Sequence, residues 1–251
     1  MNDDGRISIV SQEQSDSLMH SVLLLIRKNL ANIVSILGVL PLCLLFQQDG
    51  YQYLIPLMIY ANVMDDLDGV AAARLNTKSD FGARLDNVCD AIGHSILMMV
   101  VGLHYGGPCA IASLIGTAAI IIRSVTRLDS RHAGETGSAT NELIRHVFFV
   151  LLLSRAFEFD AAPYLIAASL LHAGSMLAPY KLPYLIRDLA KSPISIGLVN
   201  VSLLTAWIIP VTTPIIAACF IGSYLYSLAA MLVRMRNADS IENSSAIQSS
   251  K

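Results

Sequence analysis

The 251-residue chain is 54% hydrophobic and only 14% charged, with a mean hydropathy of +0.57. Soluble domains carry roughly 25% charged residues, so this chain lacks the polar surface to cover itself in water. The net charge of −2 excludes a general nucleic-acid binder, the hydrophobicity excludes bulk disorder, and Cys43, Cys89, Cys109 and Cys219 are too scattered for a disulfide framework or a zinc site.

These numbers describe an all-α integral membrane protein. In chain order, residues 1–17 form a polar, acidic head without the basic start of a signal peptide, expected to be disordered. Val22 to Ile26, followed by Arg27 and Lys28, read as a short interfacial helix. Apolar runs then cover 30–46, 51–73, 82–103, 108–122, 143–157, 163–178, 195–210 and 211–233. A crossing needs about 20 mostly apolar residues, and several runs are shorter than that. The expected architecture is a polytopic bundle of six to eight transmembrane helices, the lower count treating the fifth and sixth runs as a re-entrant pair. The membrane domain spans 18–236, and the Ser- and Asn-rich tail 237–251 is expected to be disordered. Neither an internal repeat nor a second soluble domain is visible.

Charge gives an independent check. Of the 17 Lys and Arg residues, all but Arg155 fall before the first run, after the last, or in alternate connections and the run ends that border them. Cytoplasmic loops are the Lys/Arg-rich ones, which places both termini inside.

Chemistry concentrates in residues 62–95. Asp65, Asp66 and Asp68 close the second run, and Asp86 and Asp90 enter the third. Helix positions three or four apart share a face, so Asp65 projects with Asp68 and Asp86 with Asp90. A short connection sets the two helices antiparallel and points four carboxylates at one another. Two carboxylates about 4 Å apart repel by roughly 4 kcal/mol at an effective dielectric of 20. Acids near membrane depth mark functional sites, and an all-oxygen set suits hard cations such as Mg²⁺ or Mn²⁺. Gly69 and Gly82, beside the acids, leave room for a bulky ligand. The plain alternative is a solvated run of charges at a membrane edge, which the helical spacing on both sides of the turn disfavours.

The stretch resembles the signature of the CDP-alcohol phosphatidyltransferases, D-x2-D-G-x2-A-R-x8-G-x3-D-x3-D. Asp65, Asp68, Gly69, Ala72, Gly82, Asp86 and Asp90 match it with every interval kept. One position departs: Ala73 stands where the pattern has Arg, and Arg74 follows. Either the contact of that Arg is lost, or Arg74 supplies it from a neighbouring angle. Asn32-x2-Ser35-x2-Gly38 also resembles a polar element on the first helix of many members. The resemblance implies two Mg²⁺ or Mn²⁺ ions held by Asp65, Asp68, Asp86 and Asp90, with Gly69, Ala72, Arg74 and Gly82 around the CDP moiety. Asp90 would be the catalytic general base. The implied reaction moves a phosphatidyl group from a CDP-linked lipid to a small alcohol and releases CMP, with the active site facing the cytoplasm. A homodimer is implied as well. Displacement of CMP needs charge neutralisation on phosphorus and its leaving group, which two metals supply, and a carboxylate within reach of the acceptor hydroxyl.

The acceptor is less legible. Arg123 and Arg127 are four apart at the end of the fourth run and suit a phosphate-bearing acceptor, although the positive-inside bias also places arginines there. Asn87 and Ala91 stand where the glycerophosphate branch resembles Pro and Lys, and serine, inositol or its phosphate, and glycerol phosphate stay open. Asp66 reads as an extra acid outside the ligand set. His94 reads as a group near the site or a helix-interface residue, His172 as an interhelical partner, and Cys89 as packing, turned away by its helical angle. Two other classes compete. A divalent-cation transporter would place acids near the midplane on broken, repeated helices. An intramembrane aromatic prenyltransferase would separate its two acidic motifs far more widely and need an acid where Val70 stands.

Overall fold

The computed structural model describes residues 3–128, 139–178 and 193–249, with side chains over 18–128, 139–178, 194–234 and at 236. Arg131, Lys181, Arg187 and Lys191, used in the charge argument, lie outside the described residues. Among the described residues the structure is helical throughout and has no strand. The elements are α1 (Asp3–Val39), α2 (Leu54–Arg74), α3 (Asp80–Tyr105), α4 (Gly107–Leu128), α5 (Thr140–Phe157), α6 (Ala162–Leu177), α7 (Pro193–Ile208) and α8 (Thr213–Ser249). Short 3-10 turns at Leu40–Phe46, Gly50–Tyr53 and Pro210–Thr212 link them.

Among the described residues, four segments are long and apolar enough to cross a membrane: Leu18–Phe46, Asp80–Tyr105, Gly107–Leu128 and Pro210–Arg234. Ala162–Leu177 and Ile194–Ile208 are shorter apolar helices. α2 and α5, of 21 and 18 residues, have the length to cross but carry charged side chains. The chain is therefore a polytopic helical membrane protein.

The segment read as an interfacial helix is continuous with the first span. No Gly or Pro interrupts residues 18–37, Leu, Arg and Lys are good helix formers, and α1 runs on until Pro41 removes a donor. Helical backbone also covers residues 3–17 and 237–249, within α1 and α8. Each joins an apolar helix, and extending an existing helix is far easier than nucleating one.

Prolines and glycines set the remaining boundaries. Pro163 sits in the first turn of α6, and Pro210 breaks α7 from α8. Between α3 and α4 the chain turns on Gly106 and Gly107, at φ of 66° and 47°, a region that side chains rarely tolerate. This tight reversal lays α4 along α3. A Cβ on Gly102 would stand 2.5 Å from Ser113 Cβ, so the two helices touch through a missing side chain. The core between the helices is apolar, with Leu54, Leu97, Met98, Ile120, Leu143 and Phe149 fully buried. Large apolar residues such as Leu23, Leu103, Ile111, Leu198 and Ile215 are exposed, as a lipid-facing surface requires.

Candidate active site

α1, α2 and α3 bring their polar faces together. Gly38 permits the first approach, since a Cβ there would lie 3.0 Å from Met64 Cβ. One turn before it, Ser35 donates a hydrogen bond to the carboxylate of Asp68, which is buried. The same α1 face carries Asn32, whose Oδ1 would stand 3.1 Å from a Cβ on Gly82.

The α2–α3 turn brings the second set of acids back. Asn76 adopts the left-handed conformation at φ 53°. The Thr77 N–H then bonds the Ala72 carbonyl at 3.0 Å and the Asn76 N–H bonds Ala73 at 3.4 Å. This pair of bonds satisfies the last carbonyls of α2 and folds the chain back over its end. Ser79 caps α3 at once, its Oγ accepting from the Gly82 N–H at 3.0 Å. With so short a reversal, Asp86 faces Asp65 and Asp68, and carboxylate oxygens of all three lie within 4.8 Å of one another. At that separation each charged pair repels by about 3 kcal/mol at an effective dielectric of 20. Three convergent oxygens at a half-buried site fit a hard divalent cation.

Two hollows are lined by members of this trio, and a third lies beside them. The first, about 30 Å³, is lined by Asp65, Asp68, Asp86 and Asp90 with Cys89 and His94. A second, about 260 Å³, shares Asp68 and Asp86 with it and extends past Asn32, Gly69, Ala72, Lys78 and Gly82. Nothing stands within 4 Å of where a Gly69 Cβ would project, so that glycine keeps the hollow open instead of letting helices meet. The third, about 10 Å³, shares Asp90 with the first and is lined by Asn87, Arg123, Ser124, Arg127 and Thr140.

Neighbouring helices fix these walls. Asn141 at the start of α5 donates to Asp65 Oδ2 at 2.7 Å. His94 Nδ1 meets Thr140 Oγ1 at 2.9 Å. Asn87 is committed to α4, donating to the Ser124 carbonyl at 3.0 Å and its Oγ at 2.9 Å. That bond seats the buried Arg123 beside the third hollow. Asp66 is held away from the trio: Asn200 of α7 donates to it at 2.7 Å and Asn62 at 3.3 Å. Arg145 closes this flank, bonding Asn62 Oδ1 at 3.0 Å and standing 3.7 Å from Glu142.

A family model described as CDP-alcohol phosphatidyltransferase matches residues 28–174. The chain belongs to that family. No curated protein matches the chain. In this CDP-alcohol phosphatidyltransferase the matched stretch takes in the acids, the glycines, both arginines and α5, and it ends within α6. α7 and α8 lie beyond it, so the Asn200 contact to Asp66 joins a later segment to the family domain.

Of the residues singled out in the sequence, Asp65, Asp68 and Asp86 converge, and Asp90 lines the same hollow outside the trio. Gly69, Ala72 and Gly82 share the large cavity, while Arg74 is exposed and absent from its walls. Arg123 and Arg127 share a wall with Asp90. Cys89 lines the carboxylate hollow instead of turning away from it. Sequence reading missed Asn141, Asn200 and Lys78. The faint signal was that Asn141 and Arg145 lie one turn apart in the polar first half of α5.

Proposed function

We propose that this enzyme transfers a phosphatidyl group from a CDP-linked lipid such as CDP-diacylglycerol to the hydroxyl of a small acceptor bearing an anionic group, a polyol phosphate first. The single observation that carries the reading is that Asp90 belongs to two hollows, one shared with Asp65, Asp68 and Asp86 and the other with Arg123 and Arg127. A donor diphosphate on the first side and an acceptor on the second meet at that carboxylate.

Asp65, Asp68, Asp86 and Asp90 would hold Mg²⁺ or Mn²⁺, two ions in all, which supply charge neutralisation to the diphosphate when bound. The large cavity beside Gly69, Ala72 and Gly82 takes the cytidine end. At about 260 Å³ it falls close to the lower end of small-molecule pockets. Asp90 accepts the proton of the acceptor hydroxyl. The freed oxygen forms a bond to the lipid-linked phosphorus, the bond to the bridging oxygen breaks, and CMP leaves with that electron pair. Arg123, held by the α3–α4 contact, and Arg127 orient the acceptor's anionic group. The Lys/Arg bias supports a cytoplasmic placement for this end of the bundle.

The test is incubation of membranes with labelled CDP-diacylglycerol and a panel of acceptors: serine, inositol, inositol phosphate and glycerol phosphate. Lipid product and CMP should form with a phosphorylated acceptor. Asp90→Asn should lower kcat by about 10²- to 10⁴-fold while donor binding persists. Unchanged turnover in that variant would refute the base role, and release of CMP with serine alone would refute the phosphorylated-acceptor reading.

A further inference from the structure

We infer that Lys78 is the side chain that grips the donor's nucleotide phosphates, a role that Arg74 does not fill. The inference rests on the CDP-lipid reading above and adds a binding residue to it. Three observations carry it. Arg74 is off the cavity wall, so the cation expected one residue earlier has no replacement there, whereas Lys78, equally exposed, is on it. Lys78 lines the cavity and is the only Lys or Arg among its lining residues. The left-handed Asn76 and the bonds to Ala72 and Ala73 turn the chain back at the end of α2, and Lys78 lines the same cavity as Asn32, Gly69 and Gly82.

Charge explains the need. Four carboxylates balance two divalent ions, so a diphosphate arriving with two negative charges meets no surplus positive charge from the metal centre. The free N–H groups at the start of α3 offer a partial positive charge, and an ammonium on a flexible stem adds a whole one. Lys78 is exposed and lines the same cavity as Asp68 and Asp86, so its ammonium adds positive charge on the wall that the carboxylates share.

The test measures binding of CDP with Mg²⁺ to the purified, detergent-solubilised full chain by calorimetry, and separately the KM and kcat for CDP-diacylglycerol. Lys78→Gln should weaken CDP binding about tenfold, the low end for a charge-assisted contact, and raise KM with kcat within about twofold. Lys78→Arg should restore binding to within about threefold of the original. Arg74→Gln should bind within about twofold of it. Equal binding by the original and Lys78→Gln would overturn the assignment while leaving the donor reading intact. So would an equal loss in Arg74→Gln, or a Lys78→Arg variant as weak as Lys78→Gln. Failure of the unaltered chain to bind CDP with Mg²⁺ would overturn the donor reading and Lys78 with it.

Discussion

Replacing Asn141 with Ala isolates one support of the carboxylate trio. Asn141 reaches from α5 and donates to Asp65 Oδ2 at 2.7 Å. The bond fixes the Asp65 carboxylate, leaving its other edge toward Asp68 and Asp86. Loss of a bond to a charged group costs about 1.5–3 kcal/mol, and removing the partner of a metal-binding side chain lowers metal affinity about 10- to 100-fold. Asn141→Ala should therefore shift the Mn²⁺ concentration for half-maximal occupancy upward by that range, read by Mn²⁺ titration followed by electron paramagnetic resonance. Saturating Mn²⁺ should recover most of kcat, because the ligands themselves remain. Asn141→Asp should be worse. A new carboxylate about 3 Å from Asp65 repels it by about 5 kcal/mol at an effective dielectric of 20. If Asn141→Ala titrates with Mn²⁺ as the original does, the idea that α5 positions Asp65 fails.

Three further outcomes follow from the same geometry. EDTA should abolish CMP release from CDP-diacylglycerol and Mg²⁺ or Mn²⁺ should restore it, since three acids within 4.8 Å need a counter-charge; activity persisting in EDTA would remove the metal argument. Gly82→Val puts a side chain 3.1 Å from Asn32 Oδ1 and 3.2 Å from Ser79 Oγ, on the wall of the large cavity. It should raise the donor KM several-fold, and an unchanged KM would place the nucleotide elsewhere. Gly102→Leu drives a Cβ to 2.5 Å from Ser113 Cβ, and overpacking of this kind costs about 1–3 kcal/mol. Thermal unfolding in detergent should show a lowered Tm for it, and an unshifted Tm would mean that α3 and α4 pack otherwise.

What could be read from the sequence was what a single helix or a tight turn encodes. Asp65 and Asp68 lie three apart and Asp86 and Asp90 four apart, so their shared faces follow from helical geometry, and a short reversal forces the two faces together. The membrane class followed from composition. The departures came from interactions between distant segments. Asn141 lies 76 residues from Asp65 and Asn200 lies 134 from Asp66, and no local pattern announces such pairings. Arg74 looked like the replacement for the missing Arg because it was adjacent in sequence. Side-chain direction near a helix end depends on the turn, however, and Lys78, not Arg74, is among the residues that line the large cavity. Span boundaries were soft for a related reason: α2 and α5 carry the polar groups that the site needs, which dilutes their hydropathy.

The bond from Asn200 to Asp66 has a consequence for biogenesis. Asp66 and Asn62 emerge from the ribosome long before α7, and until α7 arrives they lack the Asn200 amide that bonds both of them. During insertion the flank of α2 next to the acids is therefore incomplete, exposed to water or to chance partners. A chain cut after α6 would retain every signature residue and lack the Asn200 bonds to Asp66 and Asn62.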